Sequence, residues 1–365
     1  MTHVVAAPDK FKGSLTAAEA AAALARGIAE VRPDLPVHQV PVADGGDGTV
    51  TAALAAGFQP VTSTARGPTG VPLAATIAIR GDVAVVEAAA AGGLARLPGG
   101  RLAPLTASSY GVGELLRTAV AAGARTIVLG VGGSASTDGG AGMLRALGAR
   151  LLDRHGAELE PGGATLAELV SVDLTAVNLG AQVILASDVD NPLLGPTGAA
   201  AVFGPQKGAD PAQVRLLDDA LRIWSSHVDA ELASAPSAGA AGGIGFAALA
   251  VLGASLRSGI DLLLDLIGFD KHLPGAELVI TGEGSLDEQS LHGKAPIGVV
   301  HAAARAGVRT IAVAGRCQLD QATLTAAGIT AAYALTDLEP DPVRSMADAD
   351  RLLAQLAGRI AREWL

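Results

Sequence analysis

The chain has 365 residues, half of them apolar and 17% charged, with a formal net charge of −10. That length exceeds one ordinary core and suits two domains. The acidic balance excludes a nucleic-acid partner, which needs a basic patch to displace counterions; an anionic substrate stays open, because a few local cations or backbone N–H groups hold one.

Residues 3–7 read as a short apolar strand, and Asp9, Lys10 and Lys12 follow before a signal sequence could form, so cytoplasm is the expected compartment. Residues 14–31 are alanine-rich with a helical pattern, which Ser14 or Thr16 caps and Pro33 ends. Residues 37–42 give a second strand, 49–56 a helix and 58–65 a third strand, completing a βαβαβ run. From residue 61 to 88 the pattern changes: alternating segments are joined by Gly67–Pro68–Thr69–Gly70 and by Gly81–Asp82, which is hairpin chemistry. Strands follow at 126–129 and 182–186. Residues 236–256 carry no charge and are long enough to span a bilayer, but they are glycine-rich and read as a loop feeding a buried helix. The C-terminal hundred residues return to alternation, with strands at 277–281, 309–314 and 331–335, a turn at 282–284, and helices at 296–306, 321–327 and 347–364. Cys317, the single cysteine, reads as a small buried residue after an apolar strand, and its being alone rules out an internal disulfide or a multi-cysteine zinc site. The fold class is α/β with two α/β domains. Residues 1–65 and 261–365 form a Rossmann-like parallel-sheet domain from both chain ends, and 66–260 form an inserted mixed-sheet α/β domain.

Seven short runs concentrate glycine with Asp, Glu, Lys, Ser or Thr: residues 9–14, 44–49, 130–140, 187–192, 204–208, 239–245 and 281–287. Glycine lets backbone N–H groups approach an anion, hydroxyls donate to phosphate oxygens, and carboxylates hold Mg²⁺ or take a proton from an attacking hydroxyl. A single such loop is ordinarily a turn with Asp capping the next helix; seven together suit phosphoryl transfer. There is no Gly-x-x-x-x-Gly-Lys-Ser/Thr, so this is not a P-loop enzyme. Gly130–x–Gly132–x–x–Ala135, with Asp153 after it, mimics a dinucleotide fingerprint and raises an NAD-dependent dehydrogenase as a rival. A helix is plausible only from about Ala141, however, and the fingerprint needs one at its third position. The seven histidines are scattered, His292 beside Lys294 being a loop residue, and Trp224 and Trp364 read as packing residues. A non-catalytic sugar-acid sensor is a second rival.

These runs closely resemble the bacterial class I glycerate kinases. The matching segments include Ala7–Pro8–Asp9 with Phe11–Lys12 and Ser14–Leu15, Asp44–Gly45–Gly46 with Gly48–Thr49, residues 106–115 and 132–144, Asp188–Val189 with Asn191–Pro192–Leu193, residues 198–208 and 239–245, Thr281–Gly282–Glu283–Gly284, and Gly293–Lys294–Ala295–Pro296. The resemblance implies phosphorylation of D-glycerate by ATP with Mg²⁺, giving 2-phosphoglycerate or, in some relatives, 3-phosphoglycerate, in a cleft between two α/β domains. A small-molecule substrate is then the expected partner, with no membrane, and a homodimer stays open. Many members carry Arg after Gly-Glu-Gly where this chain has Ser285; Lys294, His292 or Arg316 are the candidate replacements for that charge.

On this footing the catalytic candidates are Asp188 as first choice of base, Asp44 as second, and Lys10. Lys10, Lys12 or Lys207 would hold the carboxylate of glycerate, with Ser14 and Asn191 beside the substrate. Gly132, Gly133, Ser134 and Ser136, with Lys294, would hold the ATP phosphates, and Glu283 or Asp138 the Mg²⁺.

Overall fold

The computed structural model describes residues 2–43, 46, 48–291 and 293–365. The chain begins with β1 (His3–Pro8) and β2 (Val37–Gln39). It continues through β3 (Gln59–Arg66), β4 (Pro72–Arg80), β5 (Val83–Glu87), β6 (Thr126–Gly130), β7 (Arg150–Leu152), β8 (Ser171–Asp173), β9 (Gln182–Ala186) and β10 (Ser255–Arg257). It closes with β11 (Ala276–Leu286), β12 (Thr310–Cys317) and β13 (Ala331–Ala334). Met1–Asp44, Thr51–Ala56 and Ile260–Leu365 make one compact unit, and Gly45–Val50 with Gly57–Gly259 make the other.

The unit built from the chain ends carries a five-stranded sheet in the order β13-β12-β11-β1-β2, with parallel pairing throughout. Every residue of β1 is buried. Side chains alternate along a strand, so Val4 and Ala6 enter the core beneath the helices Ala17–Val31 and Ala349–Trp364, while Val5 and Ala7 enter the opposite core with Val299 and Ala302 of the helix Ala295–Arg305. A strand buried on both faces reads as an unbroken apolar run, which is why His3–Pro8 shows no polar alternation. Thr16 caps the first helix: its hydroxyl accepts from Glu19 N–H, and the Glu19 carboxylate accepts from Thr16 N–H.

The other unit has a six-stranded mixed sheet, β10-β9-β6-β5-β4-β3, in which β10, β9, β6 and β5 run parallel and β4 and β3 are antiparallel. A separate ribbon pairs β7 with β8. The core is mostly Val, Leu, Ile and Ala with Trp224 and Phe246, as a chain with 2% aromatics requires. The charge-free stretch feeds the helix Ala240–Ala250, most of whose residues are buried. Among the described residues no helix is long and apolar enough to cross a membrane.

Two expectations are corrected. The strand at 58–65 does not extend an N-terminal βαβαβ unit: β3 pairs antiparallel with β4 through the turn at Gly67–Gly70, where Gly67 N–H donates to Val71 O at 2.7 Å. Hairpin closure over five residues outweighs the alternation read across residues 1–65. Residues 282–284 are strand rather than turn, since β11 runs on to Leu286 beside β12. There glycine serves close approach: a Cβ on Gly282 would lie 2.0 Å from Val313 O.

Candidate active site

In the mixed-sheet unit, the parallel strands β5, β6, β9 and β10 end on one edge. Glu87 pairs with Gly130, Gly130 with Ala186, and Ala186 with Arg257. The carboxyl end of parallel strands is where open α/β sheets bind ligands. The segment after β6 (Gly132 to Gly140) and the segment after β9 (Asp188 to Asn191) therefore leave from neighbouring strands, about 4.8 Å apart.

The segment after β6 is held from several sides. Leu94 N–H donates to Gly133 O at 2.9 Å and Ala135 N–H to Gly92 O at 2.8 Å. Asp138, 1% exposed, accepts Ser109 N–H at 2.8 Å, Ser109 Oγ–H at 2.9 Å and Gly142 N–H at 3.2 Å on Oδ2, and Gly140 N–H at 3.2 Å on Oδ1. A carboxylate so occupied clamps the loop that carries it. The Trp224 indole donates to Gly139 O at 3.0 Å from below. Gly133 is exposed and Gly132 half-buried, whereas Ser134 to Gly140 are buried. Ser136 Oγ and Thr137 Oγ1 are buried and have no hydrogen-bond partner among the described residues. Buried hydroxyls in the same loop as accessible glycines suit phosphate oxygens.

Lys207, one of the candidate cations for a substrate carboxylate, is only 2% exposed, and its Nζ donates to Ser134 Oγ at 3.0 Å and to the Ser136 carbonyl. Burial pulls its pKa down to about 7 against the opposing pull of Asp138.

Asp188 is half-buried, and its Oδ1 accepts Gly259 N–H at 2.8 Å, at the start of the helix Gly259–Ile267. Asn191 Nδ2 donates to Thr197 O at 2.8 Å, closing its own loop rather than reaching outward. Glu87, at the end of β5, went unread in the sequence. It is 7% exposed, and its Oε1 accepts Gly48 N–H at 2.9 Å and Val50 N–H at 2.6 Å, so it fixes the turn that follows residues 44–47. The signal available was one acid ending an all-apolar strand, Val83–Ala84–Val85–Val86–Glu87. Asp44 and His292 lie outside the described residues.

The unit from the chain ends gathers a second set. β1 and β11 pair through Pro8 and Gly282, and Asp9 N–H donates to Gly282 O at 2.8 Å. Lys10 thus follows the end of β1 beside the stretch of β11 that carries Glu283; both residues are half-buried, and Lys12 is exposed. A Cβ on Gly284 would lie 3.1 Å from Lys12 N, so the segment carrying Lys12 rests on β11. Ser14 Oγ donates to Phe11 O at 3.0 Å and closes that turn. Lys294 is the N-cap residue of the helix Ala295–Arg305. At Ser285 the structure supplies a cation from the next strand: Arg316, paired with Ser285, donates from Nε to Ser285 Oγ at 3.0 Å. Among the described residues no group of three or more His, Cys, Asp or Glu forms a metal-holding cluster.

The dinucleotide reading finds no matching geometry. The helix after β6 is Ala141–Ala146, six residues beyond Ala135, and Asp153 closes an exposed turn by accepting His155 and Ala157 N–H. Hydroxyl-bearing glycine loops and carboxylates at the ends of parallel strands mark the class as an α/β enzyme. The model of the glycerate kinase family matches residues 4–365. The chain is 42% identical to a glycerate kinase of Bacillus subtilis, over 99% of this chain and 96% of that protein. It is also 42% identical to a glycerate 2-kinase of Escherichia coli, over 91% and 90%. A crystal structure from Salmonella typhimurium LT2, designated glycerate kinase 2, superposes with a TM-score of 0.82 at 38% identity, covering 100% of this chain and 98% of that one. The chain belongs to the glycerate kinase family and is a kinase.

Proposed function

We propose that the chain transfers the γ-phosphoryl group of ATP to the 2-hydroxyl of D-glycerate. The register of β6 with β9 supports this reading, because Gly130 pairs with Ala186 and the hydroxyl-rich loop 132–137 and the segment holding Asp188 follow from these neighbouring strand ends. The identity with a protein named glycerate 2-kinase favours the 2-hydroxyl. Gly132, Gly133, Ser134 and Ser136 receive phosphate oxygens, the buried hydroxyls of Ser136 and Thr137 being the donors in want of acceptors. Asp188 accepts the proton of the attacking hydroxyl, its carboxylate steadied by Gly259 N–H. Glu283 is the Mg²⁺ candidate: the ion takes one or two protein carboxylates and completes its shell with water and phosphate oxygens. When bound it neutralises charge on the phosphates. Lys10 and Lys12 are the cations for the glycerate carboxylate.

Incubation with ATP, Mg²⁺ and D-glycerate should release ADP, and phosphorus NMR of the product should show phosphate on C2. Phosphate on C3 would transfer the reading to the 3-hydroxyl, and no ADP would end it. Asp188→Asn should lower kcat by about a hundredfold; an unchanged kcat removes Asp188 as base. Lys12→Ala should raise KM for glycerate alone.

A further inference from the structure

Lys207 closes the turn Pro205–Lys207 and carries its ammonium into the interior beneath the segment after β6. Burying a charge costs several kcal/mol unless it is paired and hydrogen-bonded. Two of its three N–H donors meet Ser134 Oγ and the Ser136 carbonyl. The site is shaped around it: Gly242, with φ of +71°, runs so close that a Cβ there would lie 2.0 Å from Ser136 O and 2.8 Å from Lys207 Nζ. The acid that opposes its desolvation, Asp138, already accepts four hydrogen bonds, two from Ser109 and two from Gly140 and Gly142. The cation is thus held by neutral acceptors, with a counter-charge that is shared among other donors. Ser136 and Thr137, in the segment that Lys207 meets, keep buried hydroxyls without a partner among the described residues. An anion seated on the loop would complete both the charge balance and the hydrogen bonding. Charges interact strongly across a weakly polarisable interior, so this field reaches an anion on the loop without contact.

We propose that Lys207 is a positioning residue for nucleotide binding: it fixes Ser134 and Ser136 from below and lends its charge to the polyphosphate held on the loop, without touching glycerate. This rests on the reading that residues 132–137 receive ATP. It also separates Lys207 from the substrate carboxylate, which other cations serve.

The test uses the full chain, wild type against Lys207→Met and Ser134→Ala. ATP–Mg²⁺ binding is measured by calorimetry without glycerate, and KM for ATP and for D-glycerate by ADP release. Lys207→Met should weaken ATP binding and raise KM for ATP by about tenfold or more, with KM for glycerate within about twofold. Ser134→Ala, which keeps the charge and removes one acceptor, should raise KM for ATP by about threefold. The double variant should fall short of the product of the two effects. A lower Tm with ATP binding unchanged would make Lys207 merely structural and overturn the proposal, as would a rise confined to KM for glycerate. If Lys207→Met does not fold, Ser134→Ala decides, and unaltered ATP affinity there overturns it. Wild type that binds ATP but yields no ADP with glycerate refutes the acceptor and leaves the Lys207 comparison standing on calorimetry; wild type that binds no ATP refutes both.

Discussion

Lys207 ties stability to pH in a direction opposite to that of a surface lysine in an ion pair. Burial lowers its folded pKa to about 7 from an ordinary 10.5, so between those values the unfolded chain binds the extra proton and folding strengthens as pH rises. The stability of wild type relative to Lys207→Met should therefore increase from pH 7 to pH 10, by on the order of a few kcal/mol, in urea titrations at each pH. A difference flat across that range would mean that the ammonium does not titrate there. Asp138→Asn sets an amide N–H against donors already pointing at the carboxylate, and should cost roughly 2 kcal/mol with little change in Mg²⁺ dependence. The residue types at the site were readable, because glycine, hydroxyl and acid clusters announce anion chemistry. The partners were not. Ser109 and Asp138, or Ser134 and Lys207, meet only through folding over tens of residues, so which acid clamps and which is exposed to a ligand has no local signal.

Strands and helices were legible where their period was clean. The helix predicted at 14–31 forms as Ala17–Val31 with Thr16 as cap, and the strand at 182–186 forms as Gln182–Ala186. The misreading at 282–284 has a physical cause. Glycine serves both turning and close packing, so Gly282–Glu283–Gly284 resembles a turn although Val313 O sits where a Cβ would project. Gly282→Ala should accordingly lower stability by about 1–3 kcal/mol, read as a drop in Tm, whereas an ordinary exposed turn would tolerate the change. A second element-level effect belongs to the N-terminal ends of β1 and β2 and the turn Phe269–His272. His3 stacks on His38 with ring centroids 4.0 Å apart, and His272 meets His38 edge-on at 5.5 Å. Burial first, then the neighbouring imidazoles and, for His272, Lys271, hold His38 and His272 below the usual histidine range. A lowered folded pKa means stability present above the ordinary value and lost as pH falls through the folded one. Acid unfolding should be shallower in His38→Gln than in wild type, seen as a smaller loss of Tm between pH 7 and pH 5.

At the scale of the whole chain, β1 lies between β11 and β2, so an inner strand from one terminus waits for a strand from the other. Contacts between distant segments are slow to form. The sheet containing β5, β6 and β9 draws on a nearly continuous stretch, Gly57–Gly259. Truncation after residue 259 should leave amide protection in β5, β6 and β9 and abolish it in β1; hydrogen exchange showing protection in β1 without β11 would contradict this. Alternation of strands and helices at both ends made the discontinuous sheet foreseeable. The strand order had no such signal, since it depends on which edge each crossover reaches.

The indole of Trp224 beneath Gly139 gives the molecule an optical probe of its own. The chain holds two tryptophans, Trp224 and Trp364, and the second lies in the C-terminal helix beside Tyr333. Trp364→Phe would leave emission from a single chromophore whose N–H is bonded to the loop after β6. Its colour and quenching would then follow that loop in real time, with no label attached.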